Sequence, residues 1–320
     1  MTIAHNLIKR IFSTSRSTSN TTNKTMPSHL EQETLNLRLH DPDLTEEETN
    51  NSSARVTAPV ESHKGVATCP YSSPITTPAE SRNGVATCPY RFVPLRTGGS
   101  GGTHKVSDGS ASLMHEVSLE DLQGMTERFY QKAFKDPTID RFLRSHDDPH
   151  GARFSKWIHQ KLSGSNVWDE DRAQRDTTPV MLAGGRTHVI HDRSSAHVAA
   201  WYSPKRPANE VGRHFELEDC RVWMRLHFWA MRESGIMEKS PTFADYYVRF
   251  IGHFVRVYES TAPMFARDSF RWSADPKNIE KYKRDGMMHD VLGLSLGQAE
   301  AQIPESEAND FKWPYNKAPQ

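Results

Sequence analysis

The sequence predicts an all-α domain in the second half of the chain, behind a long tail with no core of its own. Three observations carry this reading. All seven tryptophans lie beyond residue 150, six of them between 157 and 272. In the same half, apolar residues recur at helical spacing in several windows. No stretch shows sustained period-two alternation or a hairpin signal, so no strands are expected. Residues 1–110 are instead rich in Ser, Thr, Asn, Pro and Gly, with almost no apolar clusters. Such a segment cannot bury enough apolar surface to offset the entropy of ordering it, and is expected to be disordered.

Four helices can be placed. The first starts at Ser118, where Ser118-Leu119-Glu120-Asp121 has the form of a capping box. Leu122, Met125, Phe129, Ala133 and Phe134 follow on one face, and Asp136-Pro137 ends it. The second starts at Asp148-Pro149, read as an N-cap with Pro at the first helical position. His150, Phe154, Trp157 and Ile158 share its face, and Ser163-Gly164 closes it. The third covers Leu217 to Glu233 and stops at Gly235, with Trp223, Leu226, His227 and Ala230 on its inner stripe. The last starts at Ser240-Pro241 and runs to about Glu259, with Phe243, Tyr247, Phe250, Ile251, Phe254 and Tyr258 on its apolar face.

Between the second and third helices lies a loop-rich segment, 165–216. Asp192 or Ser194 can cap a short helix there, carrying His197, Ala200 and Trp201 and ended by Ser203-Pro204. A histidine on a short element between helix pairs rich in Trp, Phe and Tyr, with few carboxylates nearby, suits a large flat apolar cofactor. A second reading takes His188-x-x-His191-Asp192 with His197 and His214 as ligands for zinc or non-haem iron in an enzyme.

Charge and composition exclude other classes. Forty basic side chains balance forty acidic ones, so no long-range attraction draws the chain to nucleic acid or an anionic membrane. No apolar run is long enough to span a bilayer. Cys69, Cys88 and Cys220 make neither a disulfide framework nor a Cys-x-x-Cys zinc pattern. Residues 1–25 carry Lys9, Arg10, Arg16 and Lys24, many Ser and Thr, and no acid. Ile3, Leu7, Ile8 and Ile11 can line one helical face, as in a mitochondrial presequence, so the expected location is mitochondrial or cytoplasmic. Residues 61–71 and 80–90, ESHKGVATCPY and ESRNGVATCPY, form a repeat that ends each time in Cys-Pro-Tyr. Either it is a duplicated linker, or its thiolates ligate ferric haem in the manner of a haem-regulatory motif.

Residues 115–262 resemble the truncated haemoglobins, most closely the group with a tryptophan in the pocket. Four segments carry the resemblance in order. They are Phe129-Tyr130 with Asp136-Pro137; Arg153-Phe154, Trp157-Ile158 and Leu162-Ser163-Gly164; Ala196-His197; and Asp219 to Met224. The resemblance implies a globin-like, truncated two-over-two helical sandwich, here with extra helices and loops, holding haem b. His197 would be the proximal iron ligand, Tyr130 the distal donor and Trp223 the indole closing the pocket. His150 would stand at the distal gate, and Phe154 would pack on the haem face. The position that usually holds Phe or Tyr against the haem reads Leu143, with Phe142 just before it, and the segments before His197 and over 203–216 are longer than usual. Arg193, Lys205 and Arg206 are the nearest cations in sequence for haem carboxylates.

Four regions follow: a presequence (1–25), a disordered tail (26–112), a haem domain (113–270) and a C-terminal extension (271–320). The implied function is binding of dioxygen or another diatomic ligand, for oxygen binding or sensing, or for NO or peroxide detoxification with an external reductant. A globin-like fold without haem, acting as a helical sensor or interaction module, is a third reading.

Overall fold

The computed structural model describes residues 90–98, 102–175, 179–181, 187–189 and 193–315, and for 179–181, 187–189 and 193–196 the backbone alone. The presequence and the Cys69 and Cys88 repeat lie outside the described residues. Order among them begins well before residue 113. Val93 and Leu95 are buried in the main core, the Arg91 N–H donates to Thr242 Oγ1 (2.9 Å), and Arg249 donates to the Val93 carbonyl (2.9 Å). Two apolar residues in an extended segment leave no periodic signal, which is why residues 91–95 read as part of the tail in the sequence.

Helix α1 (Asp108–Glu116) follows, with Ser107 and Ser110 capping each other reciprocally. Its Gly- and Ser-rich start hides it from a propensity argument. Helix α2 (Leu119–Ala133) begins at the expected capping box, Ser118 with Asp121, and buries Leu122, Met125, Phe129 and Ala133. Asp136 then caps the single turn α3 (Pro137–Asp140) by accepting from the N–H groups of Thr138 and Ile139.

Helix α4 (His150–Ser163) ends as expected on Gly164, whose φ of 75° is open to glycine at little cost. Its start differs from the expectation. Asp148 makes no cap; its carboxylate meets Arg144 at 3.2 Å, and Pro149 occupies the N-cap position. Helices α2 and α4 pack closely against each other, and Gly151 makes that possible. A Cβ there would lie 2.8 Å from Cγ and 3.0 Å from Cα of Glu127, while Thr126 Oγ1 donates across to the Gly151 carbonyl (2.8 Å).

Helix α5 (Val167–Ala173) precedes two strands, β1 (Pro179–Met181) and β2 (Thr187–Val189), paired antiparallel with Pro179 opposite Val189. The expectation of no strands is corrected by this hairpin. Three residues per strand are too few to show an alternating pattern, although Val180, Thr187 and Val189 have the β-branched character strands favour. The short helix expected around His197 is α6 (Arg193–Trp201).

Helix α7 (Leu217–Glu233) is the central element, packed against α2, and closes at Gly235. After the turn α8 (Ile236–Lys239), helix α9 (Pro241–Val255) starts with Ser240 accepting from the Phe243 N–H. Its sequence shows one apolar face, yet it is buried along nearly its whole length, Arg249 and His253 included. The reason lies at both ends of the described chain. Residues 91–95 cover one side of it. Trp313 sits on Gly252, where a Cβ would lie 2.1 Å from the indole, and Tyr315 Oη meets His253 Nδ1 at 2.6 Å.

A 3-10 turn (Ala262–Phe265) leads into α10 (Ala266–Trp272), which packs on α7. Helices α11 (Pro276–Arg284), α12 (Leu296–Glu300) and α13 (Glu305–Ala308) complete the described chain. Residues 271–315 are therefore no appendage. Tyr282 and Val291 belong to one cluster with Phe129, Val222, Leu226 and Trp229. The protein is mostly helical, as predicted, and no helix among the described residues is long and apolar enough to cross a membrane.

Candidate functional site

A cavity of about 500 Å³ opens between α2, α4, α6, α7 and α9, within the size range of small-molecule and cofactor sites. All five residues singled out from the sequence line it: Tyr130, His150, Phe154, His197 and Trp223. Phe142 and Leu143, the two candidates for one haem contact, both line it as well.

One wall is built around His197. Its imidazole meets Tyr258 edge-on (4.8 Å, 72°) and Phe215 edge-on (5.8 Å, 86°), and its Nδ1 shares a hydrogen bond with Tyr258 Oη (3.2 Å). A metal-binding imidazole uses one nitrogen for the metal and the other for an orienting partner. With Tyr258 at Nδ1, Nε2 is the nitrogen a metal would take. Tyr258 lies just past the end of α9, 61 positions from His197, and no local pattern in the sequence pairs them.

The facing set of rings comes from α2, α4 and α7. Trp223 stacks on His227 (4.7 Å, 7°) and meets Phe129 and Phe154 edge-on. Tyr130 stacks on His150 (5.0 Å, 22°). Burial pushes the Tyr130 phenol far above its ordinary range, so it keeps its proton. Among the described residues neither the Tyr130 hydroxyl nor the Trp223 indole N–H has a hydrogen-bond partner, so both have capacity for a guest in the cavity. His150 is spent differently. Its Nε2 lies 3.0 Å from the Ser145 carbonyl, an acceptor only, so that nitrogen carries the proton and donates away from any guest. Burial also holds His150 below its usual value, with the charge of Arg153 adding to the effect.

The cations differ from those expected. Arg193 lies among residues whose side chains are not described. Lys205 pairs with Asp140 (2.9 Å), and buried Arg206 donates to the carbonyls of Trp201 and Arg213. The cavity is lined instead by Arg144, Arg153 and Arg175. Arg144 is paired with Asp148; Arg175 is paired with Asp171 and lies over Trp168. The Arg153 guanidinium has no ion pair or hydrogen bond among the described residues. It follows His150 by one helical turn and stands next to Phe154, so the signal was present in the Arg-Phe step.

Cys220 also lines the cavity, as a buried thiol that its surroundings hold far above the ordinary range, which makes it a packing residue. Of the alternative metal set, His188, His191 and Asp192 fall outside the described side chains. His214 stacks on Trp201 (4.0 Å, 13°), away from the cavity lining. No group of three metal-ligating side chains occurs among the described residues. No family model, no curated protein and no solved structure matches this chain.

Proposed function

We propose that the cavity holds haem b in a globin-like two-over-two arrangement, with His197 as the iron ligand, and that the protein binds dioxygen or a related diatomic or peroxide ligand. The observation carrying this is the meeting of His197, partnered at Nδ1, with two donors of unspent capacity, Tyr130 and Trp223, in one largely apolar cavity. The donor set fits the group: a neutral imidazole for iron, aromatic walls for the macrocycle, and Arg153 for its carboxylates.

Haem iron would supply the binding and reduction of small oxygen and nitrogen species. The chain supplies the surroundings. Tyr258 steadies the plane of His197, and its hydroxyl can accept from the Nδ1–H when Nε2 takes iron. Tyr130 and Trp223 donate hydrogen bonds to a guest that gains negative charge, which slows its release and polarises an O–O bond. Phe154, Trp157 and Phe254 exclude water. No flavin or nicotinamide domain is recognisable in the sequence, so turnover of nitric oxide or peroxide would draw electrons from an external reductant.

The test is reconstitution. Full-length protein with haem should show a strong Soret band, and His197→Ala should abolish or weaken it. Tyr130→Phe should speed oxygen release more than His150→Ala does, because His150 already donates to Ser145. A colourless protein carrying stoichiometric zinc, or a Soret band indifferent to His197, would overturn the reading.

A further inference from the structure

Behind the cavity wall lies a polar pair that this reading leaves unused. His227 and Tyr247 are both fully buried, and His227 Nε2 lies 2.8 Å from Tyr247 Oη. His227 Nδ1 is buried without a partner, and among the described residues the Tyr247 hydroxyl has none but His227. The neutral pair carries two polar hydrogens, and one bond uses one of them. If the phenol donates to Nε2, the Nδ1–H is orphaned; if Nε2–H donates, the phenol hydrogen is orphaned. Either orphan costs about 1–3 kcal/mol, and phenylalanine at both positions would avoid it. Buried polar groups kept at such a cost call for a role beyond packing.

Their position indicates the role. The His227 ring lies flat on Trp223, which lines the cavity, and is flanked edge-on by Phe129 (5.0 Å) and Phe154 (5.6 Å). An oxidisable indole therefore touches the cavity on one side and the His227–Tyr247 pair on the other. The aromatic faces around the imidazole would also steady a transient positive charge on it. Burial holds the phenol proton very firmly, so Tyr247 does not ionise first; electron and proton must leave together.

We propose that Tyr247 and His227 form a proton-coupled one-electron donor, wired through Trp223 to an oxidant in the cavity; this rests on the haem reading above. In the step, the Tyr247 O–H bond breaks and an N–H bond forms at His227 Nε2. One electron passes through the indole to a hydroperoxide bound in the cavity. Reduction of the hydroperoxide to alcohol and water takes two electrons and two protons. Tyr247 gives one electron, an external one-electron donor gives the other, and solvent gives both protons. A second electron from the external donor then restores the phenol as the proton returns from Nε2. The pair thus stores an oxidising equivalent inside the protein until a reductant arrives. His104 and Tyr246 provide an internal comparison: they make the same 2.8 Å bond, but the rings beside His104 include Phe250 and Phe254, which do not carry an electron hole readily.

The test uses the full-length chain loaded with haem, with loading read from the Soret band, mixed with hydrogen peroxide and frozen for electron paramagnetic resonance. A tyrosyl radical is expected, with hyperfine structure that narrows on ring-deuterated tyrosine. The signal should fall several-fold in Tyr247→Phe and Trp223→Phe and persist in Tyr246→Phe. A signal undiminished in Tyr247→Phe, or no tyrosyl radical at all in a protein with a normal Soret band, would overturn the proposal. If Tyr247→Phe fails to load haem, labelled wild-type protein decides: the radical must show an exchangeable proton hydrogen-bonded from imidazole nitrogen, and a radical without one overturns the assignment. Absence of the Soret band in wild-type protein removes the haem reading and this inference together.

Discussion

Tyr258 Oη lies 3.2 Å from His197 Nδ1, joining the turn after α9 to helix α6 across 61 residues. This bond engages Nδ1 and orients the imidazole, leaving Nε2 as the nitrogen the proposed haem iron would take. Tyr258→Phe keeps the edge-on ring contact and removes only the hydroxyl. Loss of an orienting partner of this kind costs about 10–100-fold in metal affinity. Haem titration should therefore show weaker binding by Tyr258→Phe, with the melting temperature of the haem-free protein little changed. Equal affinity in the two proteins would mean that His197 is oriented by something else.

Arg153 is the cavity-lining arginine without an acidic partner among the described residues, whereas Arg144 and Arg175 are neutralised by Asp148 and Asp171. An occupant bearing carboxylates should meet Arg153 first. Arg153→Ala is expected to lower affinity for haem by roughly tenfold, about 1.4 kcal/mol. It should leave affinity for the dimethyl ester of haem, which lacks the charges, nearly unaltered. Parallel titrations of the two compounds check this, and equal losses for both would place Arg153 in packing rather than in charge recognition. Removing its charge should also raise the His150 pKa, because Arg153 helps hold it down.

Much of this site was legible in the sequence because its residues sit on regular elements. Tyr130, His150, Phe154 and Trp223 occupy helices whose caps and stripes are local features, and Ser118 and Ser240 cap as read. His197 could be placed on a short helix only by its bracketing. What stayed hidden depends on contacts between distant positions. Tyr258 is one case. The pairing of Lys205 with Asp140 is another, since sequence proximity to His197 made that lysine look available. The core contacts of Val93 and Leu95 and the hairpin from Pro179 escaped because two or three residues carry no period. The all-round burial of α9 is set by chain segments more than a hundred residues upstream and some sixty downstream.

Acid should unsettle the fold before most carboxylates titrate. Burial holds His227 and His253 at about 3, far below the ordinary value of 6.5. The unfolded chain therefore takes up protons that the folded chain refuses. Stability is full above about pH 6.5 and falls as pH drops from there towards 3, by up to ~1.4 kcal/mol per pH unit for each histidine. Thermal melts between pH 8 and 4 should show a flat plateau and then a decline starting near 6.5. The double variant His227→Phe with Tyr247→Phe removes one of the two histidines and the orphaned donor together. It should match or exceed wild-type stability at neutral pH and fall less steeply in acid. A steeper fall in the double variant would contradict this account of the pair.

Asp136 explains why residues beyond 271 cannot be treated as an extension. Its Oδ1 accepts from the N–H groups of Thr138 and Ile139, while its Oδ2 accepts from Tyr282 Oη (2.7 Å) and meets His289 Nε2 (2.8 Å). All of this is buried, so the carboxylate has exchanged water for these partners and depends on them. Taking residues 276–320 away would leave Asp136 with two of its four partners and expose Trp229 and Trp272, which pack on Tyr282. Asp136→Asn keeps the shape, but its amide nitrogen presents hydrogens where an acceptor is needed. Losses of about 3–5 kcal/mol are typical when one member of such a buried set is removed. Denaturant melts should show Asp136→Asn destabilised on that scale, and the chain ending at residue 275 destabilised at least as much. A shortened chain that melts like the full one would show that the segment is dispensable after all, and that the Asp136 contacts are incidental to stability.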